Sequence, residues 1–136
     1  MARAMSLLST ANIHERQVQE VMEHLRAQPD PTGGWVVARK DREVFVELAT
    51  EDIPDMPLPL LERAARALGG RPVSRIAVVF EDRNEDDFEY RMVRAVAMAF
   101  SELWPIALDD HAGTAERIYP PGRRPGEGDG QGPLHS

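Results

Sequence analysis

Apolar positions along the chain fall into short patterned blocks separated by Gly, Pro and charged residues. Val18, Val21, Met22 and Leu25 recur at i, i+3, i+4 and i+7, one face of a helix. Asn12 followed by Glu15 has capping-box spacing, and Pro29 and Pro31 stop the run, so a helix is predicted over 13–27. After Gly33-Gly34, the stretch WVVARKDREVFVELAT predicts strands over 35–39 and 43–49, joined by a charged turn at Lys40-Asp41. In the second strand Val44, Val46 and Leu48 share one face, and Phe45 and Glu47 take the other. That alternation suits a sheet covered more fully on one side.

A second helix is predicted over 59–68, with Leu61, Ala64, Ala65 and Leu68 as its apolar stripe. Pro59 is tolerated in the first turn because its missing N–H would have no intrahelical acceptor there, and Gly69 stands at the C′ position. SRIAVVF, 74–80, is a nearly continuous apolar run, as expected for a central strand. The longest helix is predicted over 85–103, with Asn84 available as N-cap and Phe88, Met92, Ala95, Val96, Ala99, Phe100 and Leu103 on its buried stripe; Pro105 ends it. WPIAL and TAERIY then predict short strands over 104–108 and 114–119, and the Gly/Pro-rich segment 121–136 predicts a disordered tail.

The order α-β-β-α-β-α-β-β predicts a single α/β domain over 1–120, a sandwich of three helices on a mixed sheet of roughly five strands. Crossovers through the second and third helices would support parallel pairing, and the terminal hairpins antiparallel pairing. The opening MARAMSLLSTANIHER has too short an apolar patch for a secretory signal. No run approaches the ~20 apolar residues that span a bilayer. The expectation is a soluble, cytoplasmic protein with no membrane partner.

Charge narrows the functions. The formal net charge is −7, and Arg123 and Arg124 balance Glu127 and Asp129 in the tail, so the excess lies on the folded part. Such a field repels phosphate backbones, which argues against nucleic acid, and steers basic partner surfaces inward. The absence of cysteine excludes a disulfide framework, a thiolate zinc site and a cysteine nucleophile.

Two stretches carry candidate chemistry. ALDDHAGT sets Asp109 and Asp110 beside His111, with Gly113 close behind. Asp110 orienting His111 as a general base is one reading, and a metal site completed from elsewhere is another. However, sequence neighbours on a strand diverge to opposite faces, and no G-x-S-x-G elbow supplies a nucleophile. Asp and Gly are also what tight turns select, so a turn is the expected structure. In FEDRNEDDFEYR, the residues Glu81, Asp82, Glu85, Asp86, Asp87 and Glu89 crowd the end of a strand and the start of a helix. Their spacing is not that of a calcium loop. Acids in a first turn stabilise the helix dipole, but six together repel one another, which points to a basic partner or a cation. Trp35, Trp104 and Tyr119 are read as edge aromatics, with Trp104 assigned to the core. The Gly69-Gly70-Arg71 and Gly33-Gly34 pairs lack the spacing of a phosphate loop.

In size, negative charge, absence of cysteine and the ending that contains WPIALDDHAGTAERIY, residues 10–120 resemble the small acidic α/β immunity proteins of bacterial polymorphic toxin systems. That resemblance implies a stoichiometric inhibitor, with no catalytic residue, cofactor or metal, that blocks a toxin's active site. The partner-binding residues expected on charge are Glu81, Asp82, Glu85, Asp86 and Asp87, with Asp109 and Asp110 nearby. The alternative is a small enzyme or a ligand- or metal-binding protein using His111 with the neighbouring carboxylates. A third possibility is assembly through edge strands.

Overall fold

The computed structural model describes residues 2–82 and 86–122. In chain order these form β1 (Ala2–Ser9), α1 (Glu15–His24), β2 (Gln28–Pro29), β3 (Trp35–Arg39), β4 (Arg42–Leu48), a 3-10 helix (Thr50–Asp55), α2 (Leu58–Leu68), β5 (Ser74–Glu81), α3 (Phe88–Ser101), β6 (Ile106–Asp109) and β7 (Ala115–Ile118). The predicted tail beyond Gly122, the Asn84 cap and Glu85 lie outside the described residues. No helix among the described residues is long and apolar enough to cross a membrane.

All seven strands form one sheet in the order β2-β3-β4-β5-β1-β6-β7, and every neighbouring pair is antiparallel. The α/β class is as expected, but the mixed, roughly five-stranded sheet is not. Two strands account for the difference: the two-residue β2, which extends the sheet beside β3, and ARAMSLLS, which becomes β1 and sits between β5 and β6. The crossover through α3 does join two strands of the same direction. β1 separates them and runs antiparallel to both. The α2 connection joins adjacent antiparallel strands, β4 and β5. A tight hairpin would have sufficed there, so the long connection places a helix on the sheet rather than reversing a strand.

Strand alternation sorts side chains into two faces. Met5, Leu7, Val44, Val46, Ile76, Val78, Phe80, Ile106 and Leu108 pack with α1 and α3 in the main core, where Val18, Met22, Val93 and Phe100 are fully buried. The opposite face receives α2, whose Leu60, Ala64 and Leu68 pack on Leu8 and Ala107. Each such large aliphatic side chain contributes about 1.5–3 kcal/mol on burial.

Boundaries differ in instructive ways. The first helix is capped by His14, whose N–H donates to Gln17 Oε1 at 2.8 Å, rather than by the Asn12–Glu15 pair. Ile13, ahead of that cap, donates its N–H to Ser74 Oγ at 2.9 Å and so is tied to the start of β5. In α2, Ala64 and Leu68 are buried as predicted, while Leu60 takes the place of Leu61 and Ala65 is half-buried. In α3, Val93 and Ala97 are buried, while Ala95 and Leu103 are exposed. Leu103 follows the last helical turn, so its periodicity no longer applies. Trp104 does pack on the core, stacked with Phe100 at 6.1 Å between ring centroids.

Candidate functional site

The acidic run is answered from inside the molecule. Arg3 Nη1 lies 3.4 Å from Asp82 Oδ2. Arg42 forks onto Asp86 with contacts of 3.1 and 3.3 Å, and also reaches Glu89 Oε1 at 2.9 Å. Asp87 pairs with Arg91 one helical turn on, at 3.5 Å. Asp86 Oδ1 also accepts the Phe88 N–H, so it serves the first turn of α3. The Arg42 guanidinium and that N–H together hold the Asp86 carboxyl below its usual range. The guanidinium groups of Arg42 and Arg91 and the Lys40 amine stand over the Phe88 ring. Three of the predicted partner-binding residues, Asp82, Asp86 and Asp87, are thus engaged by arginines. Glu81 lies at the end of β5, opposite Ala2.

ALDDHAGT forms the β6–β7 turn, as expected. Asp110 Oδ1 accepts the N–H groups of Ala112 and Thr114, and Asp110 N donates to the Thr114 carbonyl. Burial pushes the Asp110 carboxyl up. Hydrogen bonds from the Thr114 hydroxyl and these two amides, with the Arg63 charge, outweigh burial and bring it to about 2. Asp109 is different. As the last residue of β6 it is wholly buried, so it cannot belong to a contact surface. Arg63 of α2 grips it bidentately, Nε at 2.9 Å and Nη2 at 2.8 Å. Its Oδ1 also accepts the His111 N–H at 2.8 Å.

His111 does more than turn the chain. It adopts φ 62°, a left-handed conformation that few non-glycine residues hold, and its Nε2 lies 2.7 Å from Ser6 Oγ. Ser6 is fully buried in β1, and its hydroxyl also accepts from Arg75 Nε at 2.8 Å. Arg75 Nη1 continues to Asp52 Oδ2 at 3.0 Å. Partial burial and the charges of Arg75 and Arg63 outweigh Asp109 and Asp110, so the imidazole pKa lies below its ordinary value. A serine beside a histidine has the composition of a nucleophile–base dyad. Here the hydroxyl has no accessible surface, so no electrophile reaches it. Among the described residues, no group of three or more His, Asp or Glu is arranged to hold a metal ion.

A second feature lies on the same sheet face, beyond α2. Val36, Phe45, Val79 and Ala4 align across β3, β4, β5 and β1 as one row pointing away from the main core. Val36, Phe45 and Val79 are half-buried and belong to neither packed cluster. They line a groove of about 560 Å³ with Asp30, Asp41, Glu43 and Glu81; it also reaches Val44, Phe80 and Glu89 of the main-core side, and none of its lining residues is basic. Gly34, at φ +79°, supports this floor, because a Cβ there would stand 2.6 Å from Phe45 Cζ and 2.9 Å from the Val46 carbonyl.

Charge density marks the acidic run in the sequence, whereas the groove and the Ser6–Arg75–Arg63 network have no comparable local signature. The signals were present but faint: a serine interrupting AMSLL, an arginine opening an apolar strand, and a phenylalanine on the polar side of β4. With this geometry described, comparison with known proteins adds no relative: no protein-family profile, no curated protein and no solved structure matches the chain.

Proposed function

We propose that this chain is a non-catalytic protein-binding module of the inhibitor or immunity type, acting on a partner with a basic surface. The observation that carries the reading is the open sheet face, where Val36, Phe45 and Val79 are set among Asp30, Asp41, Glu43 and Glu81. An apolar floor supplies contact energy, and a carboxylate rim supplies steering and register. The polar cluster around His111 favours this reading over catalysis, since the hydroxyl in contact with the imidazole, that of Ser6, is sealed under the ring. The proposed contact surface therefore moves from the acidic run 81–87 to the groove, and Glu81 is common to both.

The test is to recover the partner by cross-linking and then measure its affinity for variants. Glu43→Lys with Glu81→Lys, and separately Phe45→Ser, should each weaken binding about a hundredfold or more if these are central contacts. Asp87→Lys, whose carboxylate pairs with Arg91, should change it far less. Unchanged affinity in both groove variants would remove this surface, and with it the proposed mode of action.

A further inference from the structure

A separate hollow of about 380 Å³ opens between the 3-10 helix, the start of α2 and the β6–β7 turn, lined among others by Asp52, Asp55, Met56, Leu60, Arg75 and His111. This volume is within the range of small-molecule sites. What distinguishes it is the hydrogen-bonding capacity that remains after the internal bonds are counted.

Arg75 spends Nε on Ser6 and Nη1 on Asp52. Among the described residues its Nη2 has no acceptor, although the side chain is only 12% exposed. Arg75 Nε can only donate, so Ser6 Oγ accepts that bond; the Ser6 hydroxyl proton is then satisfied when His111 Nε2 accepts it, as no other side-chain partner of Ser6 is found among the described residues. The neutral imidazole then carries its proton on Nδ1, which is a donor. The hollow thus has two unspent donor groups, Arg75 Nη2 and His111 Nδ1. It also has unspent carboxylate oxygens, Asp52 Oδ1 and the exposed Asp55, which has no partner among the described residues. Met56 and Leu60 add an apolar wall.

From this set we propose that the hollow is a binding site for a small zwitterion with an apolar side chain, the chemistry of a free α-amino acid. The ligand carboxylate is received by Arg75 and His111, its ammonium by Asp55 and Asp52, and its side chain by Met56 and Leu60. Neither half of such a ligand suits the site alone. A simple carboxylate meets two aspartates, and a simple amine leaves the arginine and imidazole donors unmatched. The left-handed backbone at His111 belongs to the same account. A histidine stands where a glycine would meet no steric penalty, and its ring is set onto Ser6.

Calorimetric titration of the whole protein with L-leucine and L-methionine tests this directly, with isoamylamine and isocaproate as the two half-ligands. Saturable binding of the amino acids is expected, about tenfold or more tighter than either half-ligand, as charge-assisted pairs at both ends require. Asp55→Asn, at an exposed position that the fold does not need, should weaken leucine binding by about tenfold. Arg75→Lys keeps a charge beside Asp52 and should weaken it too, with amide NMR spectra confirming a folded chain. Absence of saturable binding at millimolar amino acid, half-ligands that bind as well as leucine, or an Asp55→Asn protein of unchanged affinity would each overturn the proposal.

Discussion

Beneath α2 the second sheet face is dry. Leu8 and Ala107 are fully buried against Leu60, Ala64 and Leu68. Two strands away, past β5, the same face carries Phe45 between the exposed Glu43 and Glu47, and no helix among the described residues closes over it. Strand alternation is the same in both halves; the flanking residues differ. Small and aliphatic residues on β1 and β6 invite a helix, while carboxylates around a lone aromatic keep water present and leave the floor available. Between the halves runs a polar seam, Arg63–Asp109 and Arg75–Ser6–His111, which fixes where the covered region ends.

The largest effect should come from breaking the seam on the covered side. Arg63→Ala leaves Asp109 buried without its cation, and loss of one partner of a buried pair costs about 3–5 kcal/mol, readable by urea denaturation. On the open side, Gly34→Ala must place a Cβ against the Val46 carbonyl from a left-handed backbone. A loss of at least about 1–2 kcal/mol is expected, with the Phe45 ring displaced in NMR spectra.

Much of this contrast was legible in the residues. The alternation of β4 separated Phe45 and Glu47 from Val44, Val46 and Leu48, and SRIAVVF was recognisable as a central strand. The role of ARAMSLLS was not. A short, nearly continuous apolar run carries no period that distinguishes a strand from a buried helix turn, and its partners lie 65 or more residues along the chain. Without β1 the sheet had neither its full width nor its antiparallel sense. The candidate site was half visible. DDHAG announced a turn through local chemistry, but Ser6, Arg63 and Arg75 reach it through tertiary contacts that no local pattern encodes.

Acid should sharpen the comparison at the seam. The folded-state pKa of His111 lies below the ordinary 6.5, so between those two values the unfolded chain takes up the proton first. Stability contributed by the neutral ring is therefore complete above pH 6.5 and is lost as pH falls towards the folded-state pKa. His111→Gln should flatten that part of the stability profile, and an identical slope in both proteins would dismiss the assignment. Asp110 acts lower: its contribution, present above its ordinary 3.8, disappears as pH falls through about 2, and Asp110→Asn should remove that limb. The smallest change is expected far from both halves. Asp87→Asn breaks an exposed pair with Arg91 and should alter stability by less than about 0.5 kcal/mol.

The placement of β1 has a consequence for how the protein is made. A ribosome releases Ala2–Ser9 well before Ser74–Glu81 and Ile106–Asp109, the two strands that flank it. At ~5–20 residues per second, β1 waits several seconds with both edges bare. Nascent chains are thus exposed to wrong pairings until β5 and β6 have emerged, and closure of the sheet becomes a long-range event.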